Sequence, residues 1–415
     1  MPERGQPPQT PPHKNRVLVN DRPRLGPRTG VGHYLASVLG AWPQELQRPI
    51  GVVDRLTLGR SAPIEPVPTK PESGQPGPLS GVRRVVRTPL SELRPRTDSS
   101  VGRGRAVQRR AYAAAATTAL RAMRRKGDRI WEPNHHPLMN AREGSPVFTT
   151  IHDLSVVQRP GLHPPDRVRA WAKSLPRTLE RTSTFIAVSQ ATARAIEREL
   201  GVAPERVRTI PLAGRFGEPP TGWTRCACRL ALGLDPDRPL AVHLGTIEPR
   251  KNLSVLLEAQ RIIRQTHSDE RTPDLLLIGG PGWGSDAFWG SLAGHPEAGR
   301  ASCTGYVPDE TALALLVAAD VVLCPSWLEG FGLPALEAMG AGTPVIVSTD
   351  PALTQATGGI APSVDPADAQ GWAREIGRTI EDEPRTRSLI ERGLVRAAER
   401  SWHDVARDHA DLLGA

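Results

Sequence analysis

A chain of 415 residues exceeds what one hydrophobic core holds, so two domains of ordinary size are expected. Hydrophobic residues make up 38% of it, in runs no longer than a buried strand or helix, which excludes a helical membrane span. The 53 basic against 44 acidic side chains, a net +9, favour an anionic partner, while 4% aromatics and the lack of any zinc-finger, RNP-like or basic-zipper pattern argue against nucleic acid.

Residues 1–15 are rich in Pro and Gln and lack the apolar stretch of a secretory signal, so a disordered tail on a cytoplasmic protein is expected. Residues 16–20 read as a first buried strand. A glycine-bearing turn at 26–32 follows, then a helix over 34–46. Pro, Ser and Gly without periodicity make 61–78 a long loop, and 82–86 resumes as a short strand. An alanine run makes 106–126 a helix ending in Arg121, Arg124, Arg125 and Lys126. Strands are expected at 128–131, 147–151 and 184–188, with helices at 175–181 and at 191–200, the latter capped by Ser189. This alternation is that of a parallel α/β sheet over residues 16–212.

Prolines and glycines within 210–224 place a linker at 213–221. Strands at 240–244, 275–278, 321–324 and 345–347, alternating with helices at 254–264, 311–319 and 334–339, then give a second doubly wound domain over 222–395. The segment 396–415, with a last helix at 401–413, is expected to pack back on the first domain. Cys226, Cys228, Cys303 and Cys324 include no C-x-x-C pair, so neither a disulfide framework nor a zinc site is indicated.

The sharpest chemical signal is Glu329-Gly-Phe-Gly-Leu-Pro-Ala-Leu-Glu337, between a strand and a helix expected to start at Pro334. Small residues let backbone approach a ligand, N–H groups at a helix start suit a diphosphate, and Glu337, one turn in, can accept hydrogen bonds from sugar hydroxyls. Carboxylates near a phosphate site need balancing cations. Arg250 and Lys251, in Leu244-Gly-Thr-Ile-Glu-Pro-Arg-Lys-Asn252 directly after a strand, supply a guanidinium fork and a point charge.

Together with Arg28-Thr-Gly-Val-Gly-His-Tyr34, His152-Asp-Leu-Ser155, Ile186-Ala-Val-Ser189 and Gly305-Tyr-Val-Pro-Asp-Glu310, this pattern resembles the retaining glycosyltransferases of family 4, with their E-x7-E signature. The resemblance implies a GT-B fold, two Rossmann-like domains facing a central cleft, and hexose transfer from a nucleoside diphosphate sugar without a metal or other cofactor. GDP-mannose is the first expectation for the donor and UDP-glucose the second; the acceptor hydroxyl carries no readable signal. It further implies that Arg250 and Lys251 hold the diphosphate, that Glu329 meets hexose hydroxyls, and that His152 sits beside the reacting sugar. Phe331 and Gly332 would offer backbone amides, Glu337 would bind the ribose, Gly32 would close on the diphosphate, and Tyr306 and Val307 would flank the base. Gly30, Thr246, Gly280, Gly330 and Leu333 complete the implied donor site.

Competing readings attach to several of these residues. His135 and His136 could be imagined as metal ligands with His152, yet adjacent histidines seldom face one ion. Asp235-Pro-Asp237 has the D-x-D form but the setting of a turn. Gly30-Val-Gly32 lacks the third glycine of a dinucleotide fingerprint, which would fall at Leu35. The basic residues of 103–126 leave open either peripheral contact with an anionic membrane or a solvated helix face. Asp350-Pro-Ala-Leu-Thr-Gln355 lacks the carboxylate relatives usually carry there, which keeps a catalytically silent sugar-nucleotide binder in view, beside a sugar-nucleotide epimerase of the same architecture.

Overall fold

The computed structural model describes residues 16–20, 30–46, 49–51, 79, 82, 84–92, 118, 127–135, 145–266, 271–284 and 286–415. The expected tail, the start of the glycine turn at 26–29, the loop at 61–78 and, but for Thr118, the basic helix at 106–126 lie outside the described residues.

In chain order the strands of the first half are β1 (Val17–Val19), β2 (Ile50–Gly51), β3 (Thr88–Pro89), β4 (Arg129–Glu132), β5 (Val147–Ile151), β6 (Thr184–Ala187) and β7 (Val207–Thr209). The second half supplies β8 (Leu240–Leu244), β9 (Asp274–Ile278), β10 (Ala301–Gly305), β11 (Val321–Cys324), β12 (Val345–Ser348) and β13 (Ser363–Val364). One sheet runs β2-β1-β4-β5-β6-β7, all parallel. The other runs β13-β12-β11-β8-β9-β10-β3 and is parallel except for β3. Every residue of β1, β5, β8, β11 and β12 is buried, as expected where helices cover both faces of a parallel sheet.

The second sheet, β3 aside, has the doubly wound order in which the chain departs from the central pair β8 and β11 in opposite directions. Between their carboxyl ends such a sheet opens a crevice for ligands. Its far edge is closed by β3, antiparallel to β10. The strand expected at 82–86 therefore gives way to one at 88–89 that belongs to the other half's sheet. Val82 and Leu90 enter the cores of that half, and Pro89, which has no N–H to donate, is tolerated because β3 is an edge.

Two helices begin earlier than expected. Gly30–Gly40 starts four residues ahead of 34, so Gly30 and Gly32 lie in its first turn and not in a loop. Pro165–Arg181 starts ten residues ahead of 175 and absorbs Pro176. Gln190–Leu200 is capped by the Ser189 side chain and stops at Gly201 in the left-handed region, φ 63°. The last helix, Trp402–Leu413, opens on a capping box between Ser401 and Asp404. Its Trp402, Val405, Ala406, Ala410 and Leu413 are buried in one cluster with Val17, Tyr34, Leu35 and Val38 of the first half. Among the described residues no helix is long and apolar enough to cross a membrane.

Candidate functional site

The carboxyl ends of β8 and β11 position the site. After β8 the chain crosses the loop that follows β9 so closely that a Cβ on Gly279 would stand 2.1 Å from the Gly245 carbonyl oxygen. Ile247 then donates its N–H to Gly280 and accepts one from Gly282. The tight turn Pro249–Lys251 ends at Asn252, held at φ 54°, where an Asn side chain is tolerated. The Asn252 Nδ2 donates to Pro325 and Pro366, at 3.1 and 2.6 Å, and so fixes the turn against the segments that follow β11 and β13.

Arg250 and Lys251 are thereby brought to Glu329. Lys251 Nζ lies 2.5 Å from Glu329 Oε1, Arg250 donates to Oε2 at 2.9 Å, and Ser326 Oγ donates to Oε1 at 2.6 Å. Arg250 also donates to the Leu328 carbonyl at 2.7 Å and pairs with Glu248 at 2.8 Å. Burial alone would raise the Glu329 carboxyl; the charges of Lys251 and Arg250 overcome it and hold the group well below the usual range. Burial works against the Arg250 charge too, and Glu329, Glu248 and Asp153 outweigh it. Glu248 is the member pushed upward, by burial, against the pull of both cations. The result is a fixed, ionised constellation in which Lys251 spends one of its three protons on Glu329.

Glu337 is paired with a cation that sequence reasoning did not point to. Its two oxygens accept from Arg215 Nε and NH2 at 2.6 and 2.9 Å, and Arg215 reaches on to Asp309 at 2.9 Å and to His33 at 3.4 Å. Tyr306, 59% exposed, lies within electrostatic reach of the same guanidinium, and Val307 packs partly buried against the second-half core. The two carboxylates still adjoin, since burial and the charges of both Glu329 and Glu337 push the Cys324 thiol up to about 12.

From the first half, β5 delivers His152 and Asp153 to the same crevice. His152 Nε2 lies 2.8 Å from the Pro133 carbonyl, so it must be the protonated nitrogen. Burial lowers the ring's pKa, and Nδ1 is left as a lone-pair acceptor, with the ring edge-on to Tyr34 at 4.8 Å. Asp153 accepts from the N–H and Oγ of Ser155 and stays ionised beside Arg250 despite its burial.

The loop at 330–333 packs against the first half at Gly330. A Cβ on Gly330 would stand 1.7 Å from the His152 carbonyl oxygen, and Thr192 Oγ1 donates to the Gly330 carbonyl at 3.0 Å. Phe331 is buried in the cluster of Tyr34 and Trp131, Gly332 turns the chain at φ 99°, and the helix starts at Leu333, not Pro334. Gly330 thus serves contact between the two halves, while Gly332 lies against Leu353 and Ala356 of the second half. By contrast Thr246 is exposed, and a Cβ on Gly280 would meet nothing within 4 Å. Gly30 is likewise exposed, whereas Gly32 is buried inside its helix. Asp235-Pro-Asp237 is a turn, its first carboxylate accepting the N–H groups of Asp237 and Arg238.

Sequence reasoning missed Arg215, Glu248 and Asp350. Arg215 is a lone cation in a Pro- and Gly-rich stretch, and Glu248 stands two residues before the key arginine; both were visible signals. Asp350 caps the helix Pro351–Ala356, and burial with the Glu329 charge raises its pKa to about 6.

Residues 229–396 match the model of the family described as Glycosyl transferases group 1, and residues 80–213 match that of Glycosyltransferase Family 4. The O-antigen chain mannosyltransferase B of Escherichia coli is 34% identical over 258 residues, which are 62% of this chain and 67% of that protein. A D-inositol 3-phosphate glycosyltransferase of Jonesia denitrificans is 30% identical over 277 residues, 63% of this chain and 64% of the relative, so the match spans just under two thirds of its length. Among solved structures, Anabaena Alr3699/HepE in complex with UDP-glucose has a TM-score of 0.63 at 17% identity, covering 97% of this chain and 99% of that one.

Proposed function

The chain belongs to the group 1 glycosyltransferases of family 4 and has their GT-B fold, and from that membership we propose that it moves a hexose, with retention, from a nucleoside diphosphate sugar to a hydroxyl acceptor. The observation that carries the reading is the Lys251–Glu329–Arg250 cluster, buried at the crevice between β8 and β11. Departure of a nucleoside diphosphate leaves negative charge on its oxygens, and fixed cations in a water-poor crevice stabilise that charge most as the bond breaks. Arg250 and Lys251 take that role. Glu329 stays ionised throughout, so it accepts hydrogen bonds from sugar hydroxyls and does not serve as a general acid. The His152 Nδ1 lone pair accepts another sugar hydroxyl from the first-half side. The acceptor hydroxyl attacks on the face the diphosphate leaves, and its proton passes to a departing phosphate oxygen. Mannose is favoured as the moved sugar by the mannosyltransferase relative, and glucose on UDP by the ligand of the Anabaena protein.

Incubation with labelled GDP-mannose and UDP-glucose tests this reading directly. Label moving to an acceptor is the expected result; conversion of the donor alone would make the chain an epimerase, and binding without turnover a silent binder. Lys251→Ala and Glu329→Ala are each expected to lower transfer by about 100-fold or more with the melting transition retained. Near-normal turnover in either would count against the assignment.

A further inference from the structure

Two tryptophans of the second half border the Glu248–Arg250 turn. Trp327 donates its N–H to the Arg250 carbonyl at 2.9 Å, and Trp283 follows Gly282, whose Cβ position lies 3.4 Å from Glu248 Cβ. Each carries an arginine of the first half. The Arg167 guanidinium stands 3.9 Å from the Trp283 ring centroid, and that of Arg159 stands 5.7 Å from the Trp327 centroid. The Trp283 indole also stacks on His163, at 5.5 Å and 23°, and donates to the Leu162 carbonyl at 3.3 Å.

What sets these two arginines apart is their lack of counter-ions. Arg250 and Arg215, the other cleft arginines, are each bound to two carboxylates. Among the described residues neither Arg159 nor Arg167 has a carboxylate within ion-pair distance, and both are exposed. Stacking on an indole occupies the flat face of a guanidinium and leaves its in-plane N–H fork free. Burial works against the Arg167 charge, while Asp153 and Glu248 across the crevice favour it more strongly than Arg250 opposes it, although neither carboxylate comes within ion-pair distance. A guanidinium at the rim without an ion-paired carboxylate can take an anion, and its fork suits a phosphate above other anions.

We propose that Arg159 and Arg167, each seated on a tryptophan of the opposite half, form an anion subsite that holds a phosphate group of the acceptor. The phosphate supplies the missing counter-charge at the rim, and the acceptor's hydroxyl is then turned inward toward His152 and the donor. The assignment rests on the glycosyltransferase reading for its link to an acceptor, but the anion site itself can be measured without turnover. A plain clasp between the two halves would use the same stacking and be indifferent to added phosphate.

Inorganic phosphate is titrated into the full chain by calorimetry, with wild type, Lys251→Ala, and the pair Arg159→Gln with Arg167→Gln compared. Saturable binding is expected to persist in Lys251→Ala and to weaken by about tenfold or more in the glutamine pair. Binding lost in Lys251→Ala alone, or unchanged in the glutamine pair, overturns the subsite. Should the glutamine pair not fold, Arg159→Lys with Arg167→Lys keeps the charge and removes the fork; phosphate affinity equal to wild type would then overturn it. A transfer arm offers mannose, mannose 6-phosphate and a polyprenyl-phosphate sugar in detergent micelles. A phosphorylated acceptor is expected to exceed the unphosphorylated one about tenfold in kcat/KM, an advantage lost in the glutamine pair. Which of the two phosphorylated probes gains identifies a soluble or a lipid-borne phosphate, and equal use of all three would overturn the acceptor role.

Discussion

Glu329 keeps its charge where burial would otherwise protonate it, because two cations and a serine hydroxyl donate to its oxygens while Oε2 keeps acceptor capacity. Among the described residues Glu337 has a different ion-pair partner, Arg215, and this makes the two carboxylates separable by mutation. Arg215→Ala leaves a carboxylate that is 1% exposed without its partner, and should cost about 3 kcal/mol in urea denaturation. Adding Glu337→Gln removes the stranded charge, so the double variant should be more stable than Arg215→Ala; a double variant that is weaker still would contradict the pairing. Asp350 differs again. Its ionised form is penalised in the folded protein, since its pKa stands at about 6, so its contribution to stability is present at low pH and lost as pH rises toward 6. Asp350→Asn keeps a capping side chain and removes the penalty. Its melting temperature relative to wild type should therefore improve between pH 4.5 and pH 7.5, and a difference that stays constant with pH would refute the assignment.

Among the elements, the central parallel strands were legible because burial on both faces makes them mostly apolar, as in β8, interrupted only by His243, and β11, whereas the short or more polar β2, β7, β10 and β13 were not expected. Arg250, Lys251 and Glu329 were legible for a related reason: each lies within a few residues of a strand end. The bond between Arg215 and Glu337 spans 122 residues, and no local pattern encodes it. The two-residue β3 was beyond reach because its pairing with β10 is set by where Val82 and Leu90 find apolar neighbours. Helix starts at Gly30 and Pro165 were hidden by residues that disfavour helices. The glycine loop at 330–332 was recognised as a site of close approach, and at Gly330 the first half's backbone is what comes close. Gly330→Ala therefore drives a methyl into the His152 carbonyl and should cost about 3 kcal/mol or more, read as a fall in melting temperature with loss of transfer. An alanine variant as stable as wild type would mean that the halves do not meet there.

At the scale of the whole molecule, three histidines tie distant parts of the fold to pH. His243 lies in β8, His163 stacks on Trp283 across the crevice, and His409 joins the last helix to the first half by accepting from Tyr34 at 2.7 Å while Nδ1 donates to Val405. Burial lowers all three to about 4. An unfolded imidazole takes its proton near pH 6.5, so between that pH and about 4 the unfolded chain binds more protons than the folded one, and stability falls as pH drops through this window. Asp350 opposes the trend, but one carboxylate does not balance three imidazoles, each worth about 1.4 kcal/mol per pH unit at most. Protonating His409 is the most consequential step, since an imidazolium there cannot accept from Tyr34 and puts a charge among Tyr34, Trp131 and the helix that covers them. The melting temperature should accordingly drop steeply between pH 6.5 and 4.5, and His409→Gln, which is not ionisable, should flatten that drop while lowering the melting temperature at pH 7.5. A wild-type protein that melts as high at pH 4.5 as at pH 7.5 would show that these rings are not held neutral.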